Sequence, residues 1–486
     1  MTSPPGGEVR IGVDQWVEQS DERREQHTGW TAPARRAFDQ LTPGWRLALV
    51  ATAAAAYPFF VRGSDVRIGI SVLLLAMLAL GLNVVVGWAG LLDLGYIAFY
   101  GFGAYFYAIV TSDHLPAHWP TEVAIPVIVV ATGIVGVILS LPSRRLVGDY
   151  LAIMTLFFSQ IFLELVINFQ RLPFDRLPFV SEDLDLTGGS NGIPGVEDWQ
   201  LFGYHINTFN RYYYLSLALV VLLIIGLHNI DKSRTGRAWR ALREDTLAAE
   251  HMTTPVNTMK MLAFVVGAAI AGLTGTIFAA VQVGVFPANF ELLLLITIYA
   301  AVILGGSGSL SGVVLGAVVV AYVPEVLRDP SKAGWLFYGG LAVVLILTIK
   351  PWQRVLILGG GLVGFGFLVR AVASNIWDES IAGTASGSFA SRAVDGWVLI
   401  LDAQADVITN YAFVAAIAGF LAVTLVKGWW RIALLIPTIY LAVLVWENKL
   451  VDQTSVTRQL LFGGALVVMM AVRPQGLLGT RRVEII

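Results

Sequence analysis

Residues 231–260 read DKSRTGRAWRALREDTLAAEHMTTPVNTMK, a polar stretch set between long apolar runs. Its cations are Lys232, Arg234, Arg237, Arg240, Arg243 and Lys260, the densest basic cluster in the interior of the chain. Positive charge between membrane spans is retained in the cytoplasm. The stretch therefore reads as a cytoplasmic loop between transmembrane helices, and that reading decides the fold.

The rest of the composition agrees. Of 486 residues, 56% are hydrophobic and 14% charged, against about a quarter charged in soluble domains. Mean hydropathy is +0.71. The apolar runs are continuous and do not alternate, which argues against a β-barrel. The predicted fold class is all-α: a polytopic helical membrane protein with about 12–14 transmembrane segments, some of them half-helices. A net charge of −2 gives no electrostatic case for a nucleic-acid partner. Cysteine is absent, so disulfides, thiolate chemistry and cysteine metal sites are excluded. Residues 1–44 read as a polar cytosolic arm that opens Pro4-Pro5-Gly6-Gly7 and carries Arg23, Arg24, Arg35 and Arg36. They do not have the pattern of a signal peptide.

Spans are predicted near 45–61, 68–92, 96–111, 122–141, 149–169 and 211–229 before the loop. After it they are predicted near 260–280, 288–304, 310–327, 335–349, 355–371, 411–426, 432–446 and 458–472. Counting outward from a cytoplasmic 231–260 puts Arg144-Arg145, Lys350, Arg354, Lys427, Arg431 and Arg481-Arg482 inside. The acidic stretch 170–210 and the loop 373–409 fall outside. Both termini come out cytoplasmic. Two further patterns emerge. Leu336–Gln353 (LFYGGLAVVLILTIKPWQ) is echoed by Leu460–Leu477 (LLFGGALVVMMAVRPQGL), which reads as an added module, 352–486, on a permease-like core, 45–351. Gly87-x-x-Gly90 with Gly101-x-Gly103 resembles Gly305-x-x-Gly308 with Gly316, as a pseudo-repeat would.

Several motifs carry chemistry. In Leu82–Tyr105 the residues Asn83, Gly87, Gly90, Asp93 and Gly95 combine close helix approach with polar groups at membrane depth, as do Gly305, Gly306 and Gly308 later. Tight packing alone is the competing reading. Asp149 stands at a helix start, where a carboxylate satisfies free N–H groups. Gln160, Glu164 and Asn168 are four apart and share a face, and an acidic residue in a span faces a bundle interior or an aqueous cavity. Glu325, after Pro324, reads as an interface residue. Thr187–Ile193 (TGGSNGI) specifies turns with positive φ. Residues 236–250 fit one short amphipathic helix with Trp239 and Leu242 on its apolar side. Arg237, Arg240 and Arg243 fall early in it, against the helix dipole. A Trp-bearing helix of this kind reads as a docking surface. No phosphate-binding loop is present, and Gly359-x-Gly361-x-x-Gly364 lies inside an apolar span, where helix packing explains it. The six His residues form no ligand-spaced cluster, and no cofactor or metal is expected.

Together, Leu82–Tyr105, Gly148-Asp149-Tyr150-Leu151-Ala152-Ile153, Thr187–Ile193, Gly236–Asp245, Leu304–Gly308 and Arg473–Leu478 resemble the LivM-type permease of branched-chain amino-acid ABC importers. The resemblance runs from about 68 to 351 and resumes at 458–480. It implies a second homologous permease subunit, two cytoplasmic ATPase subunits and an extracytoplasmic substrate-binding protein, in the cell membrane of a prokaryote, surrounded by lipid. It makes 231–260 the segment that couples to the ATPase, through Arg237, Trp239, Arg240, Arg243, Glu244, Asp245, Ala248 and Ala249. Asn83, Gly87, Gly90, Asp93, Gly95, Gln160, Glu164, Gly305, Gly306 and Gly308 are expected along the translocation path. ATP hydrolysis is then expected in the partners and no enzyme activity on this chain. Two departures stand out. Thr253 occupies a position where such permeases usually carry Gly, and Gln160 and Leu163 replace a common Glu and Arg pair. A urea or short-amide importer and a secondary transporter remain alternatives; the latter would carry ion-coordinating carboxylates in broken helices.

Overall fold

A backbone surrounded by hydrocarbon must satisfy its own polar groups, and a helix does so within one segment. The computed structural model of the chain is accordingly built mainly of apolar helices. It describes residues 43–61, 63–112, 118–143, 146, 148–169, 185–201, 203–326, 334–335, 337–342, 345, 352–376, 397–399, 401, 405–426, 428–450, 463–464 and 476–477. Among these, eight helices are long and apolar enough to cross a membrane, and four shorter apolar helices accompany them. Twelve of the predicted spans are thus present. That near 335–349 is described only in part, and that near 458–472 falls outside the described residues except at 463–464. Arg144-Arg145, Arg481-Arg482 and nearly all of the arm 1–44 also fall outside.

The chain divides into two units, Met1–Val61 and Arg62–Ile486. In the first, the described elements are α1 (Pro43–Ala55) and α2 (Tyr57–Phe60). In the second, α3 (Gly63–Leu82) continues into a π-helical turn, Asn83–Trp88. Then follow α4 (Tyr96–Thr111), α5 (Thr121–Ser143), α6 (Asp149–Asn168) and α7 (Phe209–Lys232). The polar loop forms α8 (Arg234–Glu244) and α9 (Thr246–His251), and the bundle resumes with α10 (Val256–Gln282), α11 (Leu292–Gly305) and α12 (Leu310–Val326). Helix α10 packs on α3, α4 and α5, while α11 pairs with α12. Small residues let α4 and α10 cross closely: a Cβ on Gly103 would lie 2.3 Å from the Gly272 carbonyl oxygen, and without a hydrophobic drive between helices such contact is what holds them.

The two ends of the bundle differ. At one, Asn83–Gly95 and Gly305–Gly308 lie beneath the polar loop. At the other, Thr187 Oγ1 donates to the Val166 carbonyl at 2.7 Å, and β1 (Ile193–Pro194) pairs with β4 (Gly284–Val285). A short hairpin of β2 (Trp199–Leu201) and β3 (Tyr204–Ile206) lies between β1 and β4 in sequence. The positive φ predicted for the TGGSNGI turn is present at Gly188, Gly189 and Gly192. Asp149 is the first residue of α6, at the helix start expected of it, where a carboxylate suits the dipole, while Gly148 takes the capping position and supplies no side-chain hydrogen bond. The added helices, α13 (Trp352–Ile376), α14 (Ala405–Leu425) and α15 (Trp429–Val445), enclose their own cluster around Leu358, Ile432, Ile439 and Val443.

Candidate coupling site

The turn from α7 into α8 is held by the arginines that the sequence reading assigned to docking. Arg240 donates to Asp231 Oδ1 at 3.0 Å and to the Asp231 carbonyl at 3.1 Å, and Arg237 donates to the Lys232 carbonyl at 3.0 Å. The last carbonyls of a helix lack intrahelical partners, and these guanidinium groups supply them. Gly236 packs so closely on this turn that a Cβ would lie 2.4 Å from the Asp231 oxygen.

Helix α8 turns its apolar face inward. Trp239 is fully buried, stacks on Trp88 with ring centroids 6.1 Å apart, and donates from Nε1 to the Met259 carbonyl at 2.9 Å. Arg243 reaches into the bundle and donates to the Gly87 carbonyl, and its second terminal nitrogen lies 3.4 Å from Ser307 Oγ. Those acceptors belong to two segments joined directly to each other. The Gly308 N–H donates to Asn83 Oδ1 at 2.7 Å, and Trp88 Nε1 donates to the Gly308 carbonyl at 3.1 Å. Charged hydrogen bonds of this sort are stronger than neutral ones, so α8 is keyed to the bundle at both Trp239 and Arg243.

The expected single helix over 236–250 is therefore corrected to two. Asp245 leaves the helical region (φ −155°) and its carboxylate accepts from the Leu247 and Ala248 N–H groups at 2.8 and 3.0 Å, capping α9. Arg243 consequently sits in the last turn of α8, where positive charge agrees with the helix dipole. Of the residues expected to couple, Trp239 and Ala249 are buried. Glu244 and Ala248 are exposed. Sequence reasoning missed Leu247, 70% exposed on α9, and Met252, 80% exposed just after it, and also Trp88 and Ser307, whose places inside the glycine-rich motifs were the available signal. Helix α9 ends with the Thr254 N–H on the Ala249 carbonyl and the Thr253 N–H on the Glu250 carbonyl. This closure requires a left-handed residue, and Thr253 adopts it with φ +60°. A cleft of about 860 Å³ opens beside α9, lined by Asp245, Leu247, Glu250, Thr254, Asn257 and the buried Lys260 among others.

The residues expected along a translocation path separate into two groups. Asn83, Gly87, Gly90, Gly305, Gly306 and Gly308 gather under α8, and Gly90 lies against the Arg243 side chain. Asp93 and Gly95 continue this platform: Asp93 is buried, Oδ1 accepts from the Gly95 N–H at 2.9 Å, and its carbonyl accepts from Tyr299 at 2.6 Å. Burial pushes the Asp93 carboxyl up to about 7, opposed by the Gly95 N–H. Gln160 and Glu164 stand apart on the exposed face of α6, where Asn168 Nδ2 donates to Glu164 Oε2 at 3.2 Å.

Comparison with known proteins supplies the family. Residues 66–349 match the family described as branched-chain amino acid transport system, permease component. The chain is 34% identical over 336 residues to the high-affinity branched-chain amino acid transport system permease protein LivM of Escherichia coli, covering 64% of this chain and 75% of that protein. It is 27% identical over 241 residues to a probable branched-chain amino acid transport permease protein LivH of Methanocaldococcus jannaschii (47% and 72% covered), and 25% identical over 291 residues to the LivM of the same organism (54% and 79% covered). No solved structure matches significantly. With more than half of its length matched, the chain belongs to the family of permease components of branched-chain amino acid transport systems.

Proposed function

We propose that this permease forms half of the translocation path of an ATP-driven importer for branched-chain amino acids, with a second homologous permease, two cytoplasmic ATPases and an extracytoplasmic binding protein as partners. The observation that carries the reading is the keyed geometry of α8. Its inner face is locked to Gly87 and Ser307 through Arg243, while α9, one residue further on, offers Leu247, and Met252 just after it, to solvent. A protein that grips α9 thereby moves the ends of α3 and α11 together. Lys232, Arg234, Arg237 and Arg240 at this end support a cytoplasmic placement, which leaves the Thr187–Ile193 turn for the binding protein. That one organism carries both a LivH and a LivM relative supports pairing of two homologous permeases.

The second permease belongs against α6. A face carrying Gln160, Glu164 and Asn168 at membrane depth is costly against lipid by several kcal/mol, and a partner subunit with an aqueous path between relieves that cost. The reading is tested by Arg243→Ala in a reconstituted complex with the co-expressed ATPases and binding protein. Loss of one charged hydrogen-bond set should lower uptake about tenfold or more, with ATPases still co-purifying and hydrolysing ATP. Unchanged uptake per ATP would remove the coupling role, and a wild-type chain that transports with no ATPase present would remove the importer reading.

A further inference from the structure

The two similar segments, 336–353 and 460–477, end up in different surroundings. In the first, Phe337 stacks on Trp446 with centroids 4.2 Å apart, and Tyr338 donates to Glu447 Oε1 at 2.6 Å. Phe337, Tyr338, Leu341 and Leu345 pack on the cluster built by α13, α14 and α15. This copy, where the family match ends at residue 349, thus joins the added helices. The second copy closes with the Gly476–Leu477 turn, and that turn returns to the core. The Leu477 N–H donates to the Leu304 carbonyl at 2.8 Å. Leu304 lies among the last four residues of α11, whose carbonyls have no partner within the helix, so the turn caps α11 from across the sequence. Gly476 holds φ +82°, and a Cβ on it would lie 2.5 Å from both the nitrogen and the Cα of Gly306 and 2.8 Å from the Ile303 oxygen. No other residue type fits there without displacing backbone.

What the turn supports is the receiving half of the coupling site. Gly306 and Gly308 adopt φ of +107° and +94°, and between them Ser307 meets Arg243 while Gly308 meets Asn83 and Trp88. We propose that the second copy, not the first, closes the permease core, that the first copy and α13–α15 form an insertion ahead of it, and that Gly476–Leu477 is a positioning turn that holds the 304–308 loop in the shape Arg243 requires. Its functional part rests on the coupling role of Arg243 proposed above; its structural part does not.

The absence of cysteine makes the test direct. Leu304→Cys, at a buried side chain where the turn binds, introduces a single thiol, and the rate of its modification by a maleimide on the full chain in membranes reads how tightly this end of α11 and its loop are held. Adding Gly476→Val should raise that rate about tenfold, the order expected when strained backbone feeds a local opening. Gly476→Ala and Leu477→Pro, which respectively adds one methyl and removes the donor, should act in the same direction if the valine variant fails to accumulate. Gly463→Ala, in the same final span where a Cβ meets nothing within 4 Å, should leave the rate unchanged. An unchanged rate in the Gly476 and Leu477 variants overturns the proposal. In the reconstituted complex, without the cysteine, Gly476→Val should lower uptake per ATP hydrolysed and add little to the loss caused by Arg243→Ala. Faster labelling with intact coupling, while Arg243→Ala does uncouple, overturns the positioning role; intact coupling in both variants instead sinks the role of Arg243.

Discussion

Thr253 shows how a departure from a family pattern becomes a measurable strain. A β-branched residue in the left-handed region is held there by its surroundings, and here the closure of α9 demands it. Thr253→Gly should therefore stabilise the chain by about 1 kcal/mol, net of the entropy that Gly adds to the unfolded state. A rise of about one to two degrees in the thermal midpoint would register it; a fall would mean the threonine hydroxyl, which donates to the Met252 carbonyl at 2.6 Å, contributes more than the strain costs. Asp93 offers a pH test. Its carboxyl is pushed up to about 7 by burial, against the lowering effect of the Gly95 N–H, so the folded state holds the proton more tightly than the unfolded state does. The associated stability is present in full below the unfolded value and is lost as pH rises through about 7. Unfolding midpoints should fall between pH 4 and 7, and Asp93→Asn should flatten that slope. From sequence alone both residues were visible as oddities. Their backbone angle and burial were not, because each depends on what packs across from it.

Helices α5 and α6 illustrate what an exposed face says in a membrane. On α5 the exposed residues Val123, Val127, Val130, Ile134 and Ile138 make a purely apolar stripe, as lipid contact requires. On α6 the exposed Ile153, Phe157, Ile161 and Leu165 run beside Gln160, Glu164 and Asn168. Glu164→Leu should leave assembly of the chain intact and reduce the maximal rate of uptake several-fold, whereas Val130→Leu on the lipid-facing stripe should change neither. Equal effects of the two would argue that α6 faces lipid as α5 does. The sequence announced the shared face of Gln160 and Glu164 through their spacing of four, yet it could not say what lay opposite. The same limit applies to α8. Amphipathic spacing correctly predicted a helix with Trp239 on one side, but spacing carries no information on whether that side meets a partner or the protein's own bundle. Asp245 hid the break between α8 and α9 for a related reason: a carboxylate is tolerated inside a helix and favoured at a cap, and only the next turn decides between them.

At the level of the whole molecule, continuous apolar runs made the spans legible, since a helix is the one way for such a run to satisfy its backbone in lipid. The glycine-rich segments were read as similar to each other, as a pseudo-repeat would be, and in the structure they meet through Asn83 and Gly308. Their gathering under α8 was not foreseen, because a glycine motif specifies close approach without naming the neighbour. The insertion was less legible still. Two copies of one pattern look alike in sequence; the resemblance that resumes at 458–480 hinted at a difference between them, and the hydrogen bond from Leu477 to Leu304 gives it a physical form. That bond also has a consequence in time. Leu304 leaves the ribosome about 170 residues before Leu477, which at ordinary synthesis rates is on the order of ten to thirty seconds. Throughout that interval the Leu304 carbonyl at the end of α11 lacks this donor, and the loop that receives Arg243 lacks its brace. The proposed coupling surface is thus finished late, complete only after Leu477 has been made.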